Sequence, residues 1–274
     1  MVFFKGHSNE NYFILILDIR AKLSLNIDYV SLICSQSYGL GGDGIIRILK
    51  LSHELNSKII SYFSDRISSC NWYMDYRNSN GTIAQICGNG IRVLSHYLYV
   101  CKLELNNEFM VGSKIGYHLI IVNKINNSIA DITIEVGKVN NLGISSIVID
   151  GYTVNGVVVC TGNPHLACVG FSFNELNSLN LNKPIYLNKF TFPEGTNIEL
   201  LTKSIRKVAS MRVCERGVGE TRSCGTGAIA ATFATFITQG IDKGILKVKL
   251  PGGELITGIT DKTSYLRGPS VLLM

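Results

Sequence analysis

A four-residue pattern occurs twice in this chain, at a spacing of half its length. Cys87-Gly88-Asn89-Gly90 and Cys224-Gly225-Thr226-Gly227 both read C-G-x-G, and each opens an apolar stretch free of Pro. They lie 137 residues apart in a chain of 274. The same offset aligns Met74 with Met211 and sets Asn78 opposite Glu215. One such tetrad is a weak signal, as compatible with a packed turn as with a site. Two at this spacing, with flanking matches, point to duplicated halves with pseudo-twofold symmetry.

The pattern of short elements agrees with two similar halves. Alternating or β-branched segments recur at Val2–Phe4, Phe13–Leu17, Gly44–Ile48, Trp72–Asp75, Leu119–Val122 and Ile129–Val136. In the second half they recur at Ile147–Ile149, Gly156–Cys160, Ile198–Leu201, Ser210–Cys214, Ile245–Leu250 and Glu254–Ile259. Short strands broken by Gly, Asn and Asp predict antiparallel sheet rather than regular β-α-β alternation. Each half then has one prominent helix directly after its tetrad, about Ile91 to Tyr99 and about Ala228 to Thr238. The second is apolar nearly all round, as a buried central helix is. The expected fold is α/β (α+β), with two pseudo-symmetric domains. Each is expected as a mostly antiparallel sheet wrapped around its central helix.

Composition narrows the function classes. With 46% hydrophobic and 17% charged residues, the chain has ample core material and is not disordered. The net charge of +6 is scattered, without the basic–aromatic runs that track a phosphate backbone, so nucleic acid is not an expected partner. The N-terminus lacks a basic n-region and an A-x-A-like site, and Tyr12–Leu17 is far too short to span a bilayer. A cytoplasmic, unprocessed chain with no membrane partner is the expectation. The eight Cys form no C-x-x-C pair and are expected as reduced thiols, most of them packed as small hydrophobes.

Cys87 and Cys224 stand apart because each precedes a helix. The first N–H groups of a helix carry partial positive charge, which biases a Cys there toward thiolate. The following Gly residues let backbone amides crowd against a carboxylate. Two such ends facing one α-carbon would hold its carboxylate and place a sulfur on either side. That is equipment for stereoinversion, with one thiolate removing the α-proton and one thiol delivering a proton to the opposite face. Preorganised donors would meet the developing enolate charge. This logic needs neither a metal nor an organic cofactor.

Longer motifs surround the tetrads. They are Lys5-Gly6-His7 with Asn11 and Phe13, Gly39-Leu40-Gly41-Gly42-Asp43-Gly44, and Tyr76-Arg77-Asn78-Ser79-Asn80-Gly81. Then come Gly162-Asn163-Pro164-His165, Phe192-Pro193-Glu194-Gly195-Thr196-Asn197, the run Glu215 to Gly227, and Leu250-Pro251-Gly252-Gly253. In these the chain resembles the diaminopimelate epimerases nearly end to end. The resemblance implies a cofactor-independent isomerase that interconverts LL- and meso-diaminopimelate in bacterial lysine and cell-wall precursor synthesis. It also implies that each pseudo-symmetric domain is a β-barrel-like sheet around a central helix, with the active site in the cleft between them. It implies Cys87 and Cys224 as the catalytic pair, and Asn11, Asn78, Asn163, Asn197, Glu215 and Arg216 as substrate-recognition residues. Gly88, Asn89, Gly225 and Thr226 would serve the carboxylate at the reacting carbon, with His165 and Glu215 in a proton network. The N-terminal half would be residues 1–128 with 265–274, and the C-terminal half 129–264. The partner is a small molecule, and a homodimer stays open.

Two positions depart from the family pattern. Ser8 stands where Gly is usual and is expected to restrict the turn beside Asn11. Tyr12 stands where Asp is usual and removes a charge near the cleft entrance. Read singly, each Asn is more often a turn residue, Glu215-Arg216 could be a surface pair, and His165 a satisfied core histidine. His53, His96 and His118 are expected to be structural. Three other functions compete. Proline racemase-like enzymes also use two cysteines but tend to carry His where Asn89 stands. A thiol redox sensor would act without an amino-acid substrate, and an anion binder would show no exchange at carbon.

Overall fold

The computed structural model describes residues 2–51, 71–84 and 86–273. Cys70 and His53 lie outside them. The chain divides into two compact units, Met1–Ile134 with Gly268–Met274, and Glu135–Arg267.

The first unit contains β1 (Phe3–Ser8), β2 (Asn11–Leu17), β3 (Gly44–Lys50), β4 (Trp72–Asn78), β5 (Glu108–Ser113), β6 (Gly116–Ile125) and most of β7 (Ile129–Gly137). Each strand pairs with the next, and the last residues of the chain pair antiparallel with β1, Lys5 opposite Leu273. Inside this sheet runs the helix Gly88–Val100, buried from Gly88 through Leu98. Gly6 of β1 lies against it, where a Cβ would stand 2.7 Å from Val93 and 2.8 Å from the Val271 carbonyl.

The second unit contains β8 (Asn140–Ile149), β9 (Tyr152–Cys160), β10 (Pro164–Phe171), β11 (Tyr186–Leu187), β12 (Asn197–Thr202), β13 (Val208–Glu215), β14 (Gly219–Thr221), β15 (Gly244–Leu250) and β16 (Gly253–Ile259). The chain then leaves it through β17 (Ser264–Leu273). Its central helix, Gly225–Gln239, is lined by Ala228, Ala230, Ala231 and Ala234, small enough to let the sheet approach from all sides. The buried hydroxyls of Thr232 and Thr235 donate back to the carbonyls of Ala228 and Ala231, so neither is left unmet. The helix ends at Gly240, whose φ of +65° is the left-handed cap that glycine adopts without strain.

The duplication is written in the pairing order. From β1 to β7 successive pairings run antiparallel, parallel, antiparallel, parallel, antiparallel, antiparallel. The series β9, β10, β12, β13, β15, β16, β17 repeats that order. Each parallel pair requires a crossover, and each crossover contains a helix. Those between β2 and β3 and between β10 and β12 hold Ile27–Cys34 and Phe173–Ser178, which the sequence reading did not identify. Both central helices begin three residues earlier than expected, at the residue after the Cys. No helix among the described residues is long and apolar enough to cross a membrane.

Candidate active site

In each unit the candidate residues gather at one end of the sheet. Asn11 opens β2, Gly44 opens the parallel neighbour β3, and Asn78 closes β4 directly opposite Gly44. In the second unit His165 lies at the start of β10 opposite Asn197 of the parallel strand β12, and Glu215 closes β13. The central helices start at these same ends. Both cysteines are the N-caps of their helices, with extended backbone, and each sulfur accepts from the amide two residues into the helix at 3.4 Å (Gly90 and Gly227). Gly88, Asn89, Gly225 and Thr226 form the buried first turns. The N–H groups of such a turn lie outside the intrahelical ladder and face whatever is bound there.

Around Cys87 the partners are amides and a cation. Its sulfur lies 3.8 Å from Asn11 Oδ1, which also accepts from Asn89 Nδ2 at 3.5 Å. Asn89 is held from behind by Arg92, whose Nη2 donates to Asn89 Oδ1 at 2.6 Å. Arg92 is fully buried, and among the described residues no carboxylate forms an ion pair with it. Burial lowers its pKa to about 10, so it stays cationic at neutral pH. Asn11 Nδ2 donates to Asp43 Oδ2 at 2.9 Å. Asn78 uses its side chain locally, donating to Thr82 Oγ1 at 3.0 Å.

Around Cys224 the partners are acidic. Cys224 is almost fully buried, and its thiol pKa is pushed well up by burial and then by the nearby Glu215 and Glu199 carboxylates. The thiolate bias expected from its place at a helix N-terminus is therefore overridden here. Glu215 is itself pushed up by burial, although Thr221 Oγ1 donates to it at 2.5 Å. His165 is fully buried, with Nδ1 2.7 Å from Glu199 Oε1 and Nε2 3.1 Å from Asn163 Oδ1. Asn197 Oδ1 accepts from the Arg216 amide at 2.9 Å, and the Arg216 side chain is exposed, 3.8 Å from Glu194.

Several expectations need correction. Ser8 does not shape the turn beside Asn11. That turn is Asn9-Glu10, both at positive φ as a two-residue hairpin turn requires, while Ser8 Oγ is buried on Arg92. Beside that turn, Asp43 Oδ2 accepts from Asn11 Nδ2 at 2.9 Å and from the Tyr12 amide at 2.7 Å. Cys101 is exposed rather than packed. His96 and His118 are buried structural residues, bonded to Ser270 and Asn126 and to Ser113 respectively. The sequence reading passed over Arg92 and Glu199. Each is the one formally charged residue of its helix or strand, and that was the signal available.

The family model for diaminopimelate epimerase matches residues 3–142 and 157–273. The chain is 45% identical to the diaminopimelate epimerase of Mycolicibacterium smegmatis over 100% of its own length and 95% of that protein. It is 44% identical to that of Mycobacterium leprae, over 100% and 94%. Among solved structures, a Bacillus anthracis phenazine biosynthesis protein of the PhzF family superposes with a TM-score of 0.68 at 16% identity, covering 99% of this chain and 96% of that one. A hydroxyproline epimerase from Agrobacterium vitis gives 0.65 at 10% identity, over 99% and 88%. These two likenesses speak to the fold alone. A family match spanning both units, together with relatives this similar from end to end, places the chain in the diaminopimelate epimerase family, as an isomerase.

Proposed function

We propose that this chain interconverts LL- and meso-2,6-diaminopimelate, in lysine and cell-wall precursor synthesis in the cytoplasm, with Cys87 and Cys224 as its two bases. One observation carries the assignment of the bases: the cysteines are the N-caps of equivalent central helices in two copies of one pairing pattern. Inversion needs an acid and a base on opposite faces of the α-carbon, and a duplicated site supplies one of each. The carboxylates beside Cys224 favour its thiol form, so it starts as the donor. The Cys87 thiolate takes the α-proton and becomes a thiol; the carbanion takes the proton of Cys224, which becomes the thiolate. The reverse direction restores both. First-turn amides at Gly88, Asn89, Gly225 and Thr226 receive the charge that develops on the carboxylate.

Asn11, Asn78, Asn163, Asn197, Glu215 and Arg216 hold the distal amino-acid group, with Arg suited to a carboxylate and Glu to an ammonium. His165 and Glu215 belong to the proton network of Cys224. The test is α-proton exchange in deuterated water, followed by proton NMR with LL- and meso-diaminopimelate. Wild-type protein should exchange both, and Cys87→Ala and Cys224→Ala should each abolish epimerisation. Near-normal turnover in either variant contradicts the assignment. Lysine, which lacks the distal carboxylate, should be a very poor substrate because buried polar groups would be left unpaired.

A further inference from the structure

The two central helices are equivalent, yet one place in them differs in kind. Arg92 stands five residues after Cys87, and Ile229 stands five residues after Cys224. Both are fully buried. A buried cation is costly, and Ile fills the matching place without that cost. Packing therefore does not account for an arginine here. The first turns differ in step with it, since Asn89 of the first tetrad corresponds to Thr226 of the second. A hydroxyl donates or accepts by rotating its one hydrogen. A carboxamide carries its donors and its acceptor on fixed sides and must be turned as a whole. The unit with the carboxamide is the one with the cation.

The hydrogen bonds show how the turning is done. Arg92 offers donors only, and its Nη2 lies 2.6 Å from Asn89 Oδ1. That oxygen therefore faces the guanidinium, and Asn89 Nδ2 faces the other way, 3.5 Å from Asn11 Oδ1. Asn11 is turned from its own far side, where its Nδ2 donates to Asp43 Oδ2 at 2.9 Å. The same Asn11 oxygen accepts from the Cys87 thiol at 3.8 Å. A donor-only group at one end and a carboxylate at the other leave one arrangement for both carboxamides. With Asn89 turned over, its Nδ2 would meet the guanidinium, donor against donor, and its oxygen would meet the Asn11 oxygen.

We propose that Arg92 is a positioning residue of this site: it sets which way the Asn89 carboxamide faces, keeping the N–H donors on the side of Asn11 and Cys87. The inference rests on the reading of Asn89 as a residue that serves the carboxylate at the reacting carbon. Donors suit a carboxylate, whereas the turned amide would bring an oxygen to it.

Arg92→Met keeps a long side chain and removes every donor. It should lower kcat/KM for LL-diaminopimelate about tenfold, within the range for losing one hydrogen bond to a charged group. It also strips the Ser8, Asn9 and Asn89 oxygens of their cation, so stability falls whatever else Arg92 does. A double-mutant cycle separates the two effects. Introduced into Asn89→Ala, Arg92→Met should change kcat/KM by less than about twofold, because no carboxamide is left to turn, while the urea midpoint still drops. NMR of the Asn side-chain amides supplies a readout independent of activity, with the Asn89 signal identified by its loss in Asn89→Ala. In the wild type, Overhauser contacts from the Asn89 Nδ2 hydrogens should reach the side chain of Asn11. They should not reach that of Asn9, whose oxygen shares Arg92 Nη2 at 3.0 Å.

Contacts to Asn9 in place of Asn11 would overturn the proposal even if Arg92→Met failed to fold. So would a wild-type kcat/KM in Arg92→Met, or an equal loss with and without the Asn89 carboxamide. If wild-type protein failed to exchange the α-proton of diaminopimelate at all, the epimerase reading would fall, while the amide contacts would still decide which way Asn89 faces.

Discussion

Ser8 Oγ lies 2.6 Å from Arg92 Nη2 and 3.0 Å from Arg92 Nε, and neither side chain has any exposed surface. The same hydroxyl donates to the Pro269 carbonyl at 2.6 Å. Asn9 Oδ1, Asn89 Oδ1 and the carbonyls of Gly88 and Pro269 are the other acceptors around the guanidinium. A buried cation without a paired carboxylate depends on such neutral acceptors, and Ser8 is the one that meets two of its nitrogens. Through Arg92 the hydroxyl also bears on Asn89, one residue from the first tetrad's closing glycine.

Ser8→Ala should therefore destabilise the protein by about 2 kcal/mol, the usual loss for a hydrogen bond to a buried charged group. The midpoint of urea unfolding reads this directly. A change below about 0.5 kcal/mol, ordinary for a surface site, would show that Arg92 does not rely on the hydroxyl.

A second prediction concerns the ionisation of Cys224. Its pKa is raised first by burial and then by Glu215 and Glu199. The pH midpoint of its alkylation by iodoacetamide, read by peptide mapping, should lie above that of an ordinary thiol. Removing a nearby negative charge favours the thiolate, so Glu215→Gln should move the midpoint down. An unshifted Cys224 midpoint in the variant contradicts the assignment of Glu215 as its electrostatic neighbour.

Glu215 itself makes stability depend on pH. Burial raises its folded-state pKa above the unfolded value. The native state therefore holds this proton more tightly, and the associated stability is present at low pH and lost as pH rises through the folded value. Gln in its place keeps an acceptor for Thr221 and does not ionise. The Tm of Glu215→Gln should gain on wild type between about pH 4 and pH 7, bracketing the ordinary glutamate range, while epimerisation falls. A difference between the two proteins that does not change over that window would refute the sign.

The duplication was legible from the tetrads onward and obscured before them, for a reason visible in the strands. Met74 and Met211 are 137 residues apart, as are Cys87 and Cys224. β2 and β10, however, start 153 residues apart, and so do β3 and β12. β3 and β4 are joined by residues 51–71, whereas β12 and β13 are joined by 203–207. The longer connection shifts the offset by 16 residues and hides the match of Ile46 with Glu199 and of Tyr12 with His165. Strands with clear alternation were readable. β10 was not, because Pro164 opens it and Leu166-Ala167-Cys168 is buried on both faces without alternation, and Phe173–Ser178 is too short for helical periodicity to show. Arg92 and Glu199 needed coordinates, since only partners reveal what a buried charge is for.

The last prediction compares the closing glycines of the two tetrads, Gly90 and Gly227. Alanine is favoured over glycine inside a helix by about 1 kcal/mol, so each substitution begins with the same gain. At Gly90 the new methyl would meet the terminal Cδ1 of Ile46 at 3.1 Å, a flexible end that can turn aside. At Gly227 it would meet Glu199 Oε1 at 2.6 Å, and that oxygen is held 2.7 Å from His165. Relief there means breaking the Glu199–His165 bond or moving the helix start that carries Cys224. Gly90→Ala should stay within about 1 kcal/mol of wild type in unfolding experiments, whereas Gly227→Ala should lose about 2 kcal/mol, the range for overpacking a tight site. The loss in kcat/KM should likewise be larger for Gly227→Ala. Equal effects of the two substitutions on both measurements would mean that Glu199 yields as easily as Ile46, and that the acidic floor under the second helix is not rigid.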